Sequence, residues 1–193
     1  MRPEELLKAL STAAALKTNT RHCWTQPGRK ESIADHSWRL ALMTVLLENE
    51  PEFQGVDMNR VLRMCLIHDL GEAFSGDIPA FEKSADDERR EDARYLQWVD
   101  AFPETDRAEW RSQLSEMLAL ETKEARIYKA LDKLEALISH NESDIGTWLP
   151  LEYDLQKTYG QENMDASPYF AELRKRIDRW TDEKIKTARK DSE

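Results

Sequence analysis

Apolar side chains recur along most of this chain at the spacing of amphipathic helices. Leu6, Leu7, Leu10, Ala14 and Leu16 predict a first helix over about residues 4 to 17. The polar stretch from Thr18 to Lys30, with Pro27-Gly28 inside it, reads as a loop. Ser32 and Asp35 fit a capping box, so a second helix is predicted to start there. Its inward stripe is His36, Leu40, Met43 and Leu47, and Pro51 lies just past its end. A third helix is predicted from about Asp57 to Ala73, with Val61, Met64, Cys65 and His68 on one side, followed by a turn at Gly76 and Pro79. The charged residues 84 to 100 hold Ala93, Leu96, Trp98 and Val99, and Pro103 interrupts them. Trp110, Leu114, Met117 and Leu118 predict a helix near 105 to 120. Glu121 to His140 is strongly periodic, on Ile127, Leu131, Leu134 and Ile138. Pro150 and Gly160 punctuate a short helix, and a last amphipathic helix runs from about Ser167 to Ala188. The tail from Lys190 to Glu193 is expected to fray. No strand alternation stands out, and without a βαβ pattern a Rossmann-type sheet is not expected.

Composition narrows the class. The chain is 193 residues long, 40% hydrophobic and 34% charged, which suits one soluble all-α domain spanning residues 1–193. Its formal charge of −10 argues against duplex nucleic acid as a partner, since that needs a basic surface. An anionic substrate would have to be met locally, by a metal or a few placed cations. Cys23 and Cys65 form no CxxC pair, so a reducing, cytoplasmic setting is expected. The opening Met1-Arg2-Pro3-Glu4-Glu5 has acids where a signal peptide needs a basic stretch and an apolar core. No apolar run approaches the ~20 residues of a membrane span.

Chemistry concentrates at Ile67-His68-Asp69-Leu70-Gly71-Glu72. Adjacent helical residues diverge by about 100°, yet both reach one ion that sits between them near a helix end. Glu72 is i+4 from His68 and i+3 from Asp69, within reach of a water on that ion, and Asp77 follows the Ser75-Gly76 turn. The plainer account is a helix C-terminus whose dipole favours a histidine, with scattered surface acids. His36 on its apolar stripe fits a packed core histidine or a ligand. Asp132, beside the stripe of its helix, needs either a metal or a buried arginine.

Together these residues follow the H…HD…D order: Asp35-His36, Ile67-His68-Asp69 and Ala130-Leu131-Asp132. In that pattern the chain resembles the HD-domain metal-dependent phosphohydrolases. Arg21-His22-Cys23-Trp24, Glu31-Ser32-Ile33-Ala34-Asp35-His36, His68-Asp69-Leu70-Gly71-Glu72 and Gly76-Asp77-Ile78-Pro79 bring it closer to the 5′-deoxynucleotidase branch.

The resemblance implies a compact orthogonal helix bundle, with a metal-binding core at about 21–140 and C-terminal helices at about 148–188. It implies one divalent ion on His36, His68, Asp69 and Asp132; the mixed donor set suits Mn, Co, Ni, Fe or Zn without choosing among them. Di-iron relatives need additional histidines between the HD pair and the last Asp, and this chain has none there. The implied reaction is in-line attack of water on phosphorus in 2′-deoxynucleoside 5′-monophosphates, releasing deoxynucleoside and phosphate. Glu72 is assigned near the water and Asp77 near the leaving oxygen. Arg21 is implied in substrate binding, and Trp24 in stacking on the base or walling off the 2′ position. In relatives the tryptophan adjoins the arginine; here two residues intervene. Lys83 and Lys129 are candidates for phosphate, each with a surface lysine as the plain alternative. A deoxynucleoside triphosphate triphosphohydrolase and a non-catalytic nucleotide sensor are the other readings. A homodimer is an assembly that relatives often adopt.

Overall fold

A computed structural model describes residues 1–25 and 28–190 and resolves the helical periodicity into elements. These are α1 (Pro3–Ala13), β1 (Thr20–Trp24), β2 (Lys30–Ser32), α2 (Ile33–Leu47), α3 (Met58–Ile67), α4 (Glu72–Ser75) and α5 (Ala85–Asp100). Then follow α6 (Glu104–Ala119), α7 (Lys123–Glu142), α8 (Glu152–Thr158) and α9 (Pro168–Lys190). The fold is all-α apart from the small two-stranded sheet. Pro27 and the last three residues, on which part of the loop and tail expectations fell, lie outside the described residues. Among the described residues no helix is long and apolar enough to cross a membrane.

The bundle is organised around α7. Thr122 caps it by accepting from the Ala125 N–H at 3.1 Å. Ala125, Ile127, Ala130, Leu131, Leu134 and Leu137 are all buried, which places the helix inside the bundle rather than against one side. It packs on α2, α3, α6 and α9. The same helix buries Asp132, Glu135 and His140, so part of its interior length is polar.

The capping box at the start of α2 forms as expected. Ser32 Oγ accepts from Asp35 N–H at 3.1 Å, and Asp35 Oδ2 accepts from Ser32 N–H at 2.9 Å. Two expectations need correction. The stretch read wholly as a loop holds an antiparallel hairpin, with Thr20 opposite Ser32 and Trp24 opposite Lys30. The helix expected to run from Asp57 to Ala73 stops at Ile67. The Tyr95 hydroxyl donates to Ile67 O at 2.7 Å, and His68 Nδ1 donates to Cys65 O at 2.9 Å, so side chains satisfy its last carbonyls. His68 to Gly71 then turn before α4. Gly71 lies against α5, where an added Cβ would stand 2.8 Å from Glu91 Cγ. The early stop lets His68 and Asp69 turn toward one point.

Candidate metal centre and active site

Four of the expected ligands converge. His36 comes from the first turn of α2, His68 and Asp69 from the turn after α3, and Asp132 from the middle of α7. His36 Nε2 lies 3.2 Å from His68 Nε2, 3.3 Å from Asp132 Oδ1 and 3.8 Å from Asp69 Oδ2. His68 Nε2 lies 3.0 Å from Asp69 Oδ2 and 3.7 Å from Asp132 Oδ1. Metal bonds of about 2.0–2.2 Å set neighbouring donors roughly 3–3.5 Å apart, close to this spacing.

The two histidines supply a sharper test. His36 Nδ1 is bound to Glu135, and His68 Nδ1 to Cys65 O at 2.9 Å. Each bond fixes the proton of a neutral ring on Nδ1 and leaves a lone pair on Nε2. Two such lone pairs facing one another at 3.2 Å need a positive charge between them, which a shared proton or a metal ion supplies. The donor set therefore fits a divalent ion.

Electrostatics agree. Burial and nearby Arg21 lower the His36 pKa, but Glu135 and Asp132 raise it to about 9, so this corner attracts positive charge. Burial also works to raise Asp132, yet Lys133 and Lys129 hold its carboxyl well below the usual range. Asp69 is lowered likewise, with His68 and His36 overcoming burial. Asp132 divides its oxygens: Oδ1 faces the imidazoles, and Oδ2 meets Lys129 Nζ at 3.1 Å and Lys133 Nζ at 3.4 Å.

A second layer stands behind the ligands. Glu135 is fully buried, and besides His36 it binds Arg39 Nε at 2.6 Å. Glu31, also buried, accepts from Ser139 Oγ at 2.8 Å and pairs with Arg21 Nε at 3.1 Å. Neither acid was singled out from the sequence. The available signal was that Glu135 is three residues from Asp132 and four from Leu131 on a buried stripe.

The cluster opens on a cavity of about 270 Å³. Arg21, Asp69, Glu72, Asp77, Lys83, Lys129 and Asp132 all line it, so the structure brings most expected site residues together. Arg21 Nη1 lies 3.7 Å from Asp69 Oδ2. Glu72 is 4% exposed, and burial with Asp69, Asp77 and Glu91 nearby pushes it up to about 10. Its Oε2 is buried with no hydrogen-bond partner, as expected of a group awaiting water or substrate. Burial raises Asp77 as well. Lys83 Nζ sits 2.7 Å from Glu91 and 3.9 Å from Glu72. Trp24 is the one expected site residue outside both the donor cluster and the cavity lining. Its backbone N–H donates to Ser143 Oγ at 3.2 Å, and the Lys30 ammonium lies 5.8 Å from the centre of its ring. Arg21, His22 and Cys23 line the cavity from the same strand.

A profile of the HD domain matches residues 13–174, most of the chain and all four converging residues. The chain belongs to the HD domain family. Among relatives of this HD protein, 5′-deoxynucleotidase HDDC2 of Homo sapiens is 29% identical over 141 residues, 71% of this chain and 67% of that protein. The 5′-deoxynucleotidase YGK1 of Saccharomyces cerevisiae is 32% identical over 145 residues, 70% of this chain and 65% of that protein. The chain thus spans about two thirds of the length of the curated relatives it matches. Among solved structures, a predicted metal-dependent phosphohydrolase from Magnetospirillum magnetotacticum superposes with a TM-score of 0.78 at 30% identity, covering 96% of this chain and 93% of that one.

Proposed function

We propose that this HD protein hydrolyses 2′-deoxynucleoside 5′-monophosphates to deoxynucleoside and phosphate. The carrying observation is that Glu72, Asp77, Arg21 and Lys129 line one cavity with the carboxylates of the donor cluster. The relatives' names support the deoxynucleotide as substrate. His36, His68, Asp69 and Asp132 are the residues that would hold the ion. When bound, a divalent ion supplies positive charge for the phosphoryl group and lowers the pKa of a water molecule.

The chain's own residues do the rest. Lys129 and Arg21 orient the phosphate, the latter through its planar fork. Glu72 and Asp77 move the protons: one takes a proton from the attacking water, and the other protonates the 5′-oxygen that leaves. Lys83, paired with Glu91, stands behind Glu72 and steadies it. The lining cations are committed to acids, Arg21 to Glu31 and Lys129 and Lys133 to Asp132, which suits one phosphate better than three. Trp24 takes no part in this reading as a wall for the sugar, because it lies off the cavity.

We read residues 1–193 as one such unit working in the cytoplasm. Cys23 and Cys65 support the compartment: both are free and buried, with thiols pushed up to about 12 by burial. The test is phosphate release from a 2′-deoxynucleoside monophosphate, the matching ribonucleotide and the matching triphosphate, with Mn²⁺ or Co²⁺ added. The deoxy monophosphate is expected to give the highest kcat/KM. Tripolyphosphate release from the triphosphate, with the monophosphate untouched, would replace this reading with a triphosphohydrolase.

A further inference from the structure

The cavity continues past the donor cluster. Asp132, Ala136 and His140 follow one another at four-residue steps along α7, and all three line it. Eight residues of helix advance about 12 Å. A nucleoside monophosphate with its phosphate at Asp132 therefore lays its base toward His140.

At that end two imidazole nitrogens lack a hydrogen bond beside a buried acid. Glu152, 4% exposed, opens α8. Its Oε2 accepts from Leu149 N–H at 2.6 Å and lies 3.8 Å from His140 Nε2. Its Oε1 lies 3.1 Å from His22 Nε2. Neither imidazole Nε2 has an aligned hydrogen bond, although both are buried. No lysine or arginine forms an ion pair with Glu152 among the described residues. His140 is held flat against Trp148, with ring centres 4.3 Å apart and planes 24° from parallel. Phe81 meets His22 edge-on at 5.8 Å. Rigid, buried groups left unsatisfied in a cavity wall call for a ligand that completes them. The two histidines approach different oxygens of Glu152, so they flank the carboxylate rather than close on one point with it.

We propose that Glu152, His22 and His140 form the base-reading end of the cavity and are complementary to the edge of guanine. The proposal rests on the deoxynucleotidase reading above. Guanine presents a carbonyl oxygen, a ring N–H and an amino group side by side. A carboxylate accepts from the ring N–H and the amino group together, and an imidazole N–H donates to the carbonyl. Thymine presents two carbonyls around a single N–H, which sets an oxygen against the carboxylate. Adenine and cytosine offer the amino group without an adjacent ring N–H, so they rank between.

The test compares kcat/KM for dGMP, its analogue without the amino group (deoxyinosine monophosphate) and dTMP, in wild type and in Glu152→Gln. The amide keeps an acceptor for Leu149 N–H and loses the charge and one acceptor toward the base. Wild type is expected to favour dGMP over dTMP by about 10- to 100-fold, the worth of one bidentate base contact. Deoxyinosine monophosphate should fall between them, and Glu152→Gln should erase most of the preference, with the loss in KM more than in kcat. A wild-type ratio near one, or a ratio unchanged in folded Glu152→Gln, overturns the proposal. If Glu152→Gln does not fold, His22→Asn carries the same comparison. Thermal stabilisation by deoxyguanosine over thymidine reads the site without chemistry. If no deoxynucleotide is hydrolysed but deoxyguanosine still stabilises, the activity reading fails and the base site stands.

Discussion

The orientation of His36 is set by an acid outside the converging set. Glu135 fixes the proton on Nδ1 and so aims the Nε2 lone pair at the cluster. Partners of this kind are typically worth 10–100-fold in metal affinity. Glu135→Gln should weaken metal binding by about that factor while keeping the fold, whereas His68→Ala should lose the ion altogether. Competition against a metal-sensitive dye measures both, and unchanged affinity in Glu135→Gln would show that the tautomer is set elsewhere. Glu72 and Asp77 predict the reverse pattern. Neither completes the ligand set, so Glu72→Gln and Asp77→Asn should retain metal and lose about 10²–10⁴ in kcat. Elemental analysis beside steady-state kinetics separates the two effects; near wild-type kcat with metal retained would remove both residues from the chemistry.

Between elements, the contact of the α8–α9 connection with α7 sets the cavity wall. Gly160 sits there with φ at +70°, and an added Cβ would stand 2.5 Å from Lys133 Cβ. Lys133 in turn holds Asp132 and donates to the Tyr159 hydroxyl at 2.7 Å. Gly160→Ala is expected to destabilise the protein by about 1–3 kcal/mol, from left-handed backbone strain and the close approach. A urea unfolding curve checks this, and an unshifted midpoint would mean that the connection moves aside freely. Sequence reading reached some element boundaries and missed others. The start of α2 was legible because Ser32 caps it locally, and α7 was legible through its apolar periodicity. The end of α3 was not, because Tyr95, 28 residues away, takes its last carbonyl. The hairpin was missed because strands of five and three residues are too short to show alternation. The four candidate ligands stood out through their order along the chain. Glu31, Glu135 and Glu152 did not, since a buried acid and a surface acid look alike until packing decides which is which.

For the whole molecule, pH dependence follows from the histidine at the far end of the cavity. Burial lowers His140 to about 4, with Glu152 opposing and His22 and Lys184 adding to the shift. Its folded pKa lies below the unfolded value of about 6.5, so the unfolded chain binds the extra proton. The stabilising contribution is therefore full above about pH 6.5 and lost as pH falls toward 4. A shift of this size corresponds to roughly 3 kcal/mol. Metal-free wild type should lose stability over that window, and His140→Gln should lose markedly less. Asp35, held down to about 2 chiefly by Arg29, acts lower, as pH falls from about 3.8 through 2. Unfolding midpoints at several pH values distinguish the two groups; parallel curves for wild type and His140→Gln would contradict the assignment.

The four candidate ligands come from α2, the turn after α3, and α7, three separate parts of the bundle. An ion on all four would act as a removable crosslink. Each tenfold rise in free ion above the dissociation constant would add about 1.4 kcal/mol of resistance to unfolding. Supply of the cofactor and lifetime of the chain would then be set by one equilibrium: in metal-starved surroundings the enzyme would become easier prey for proteases as well as idle.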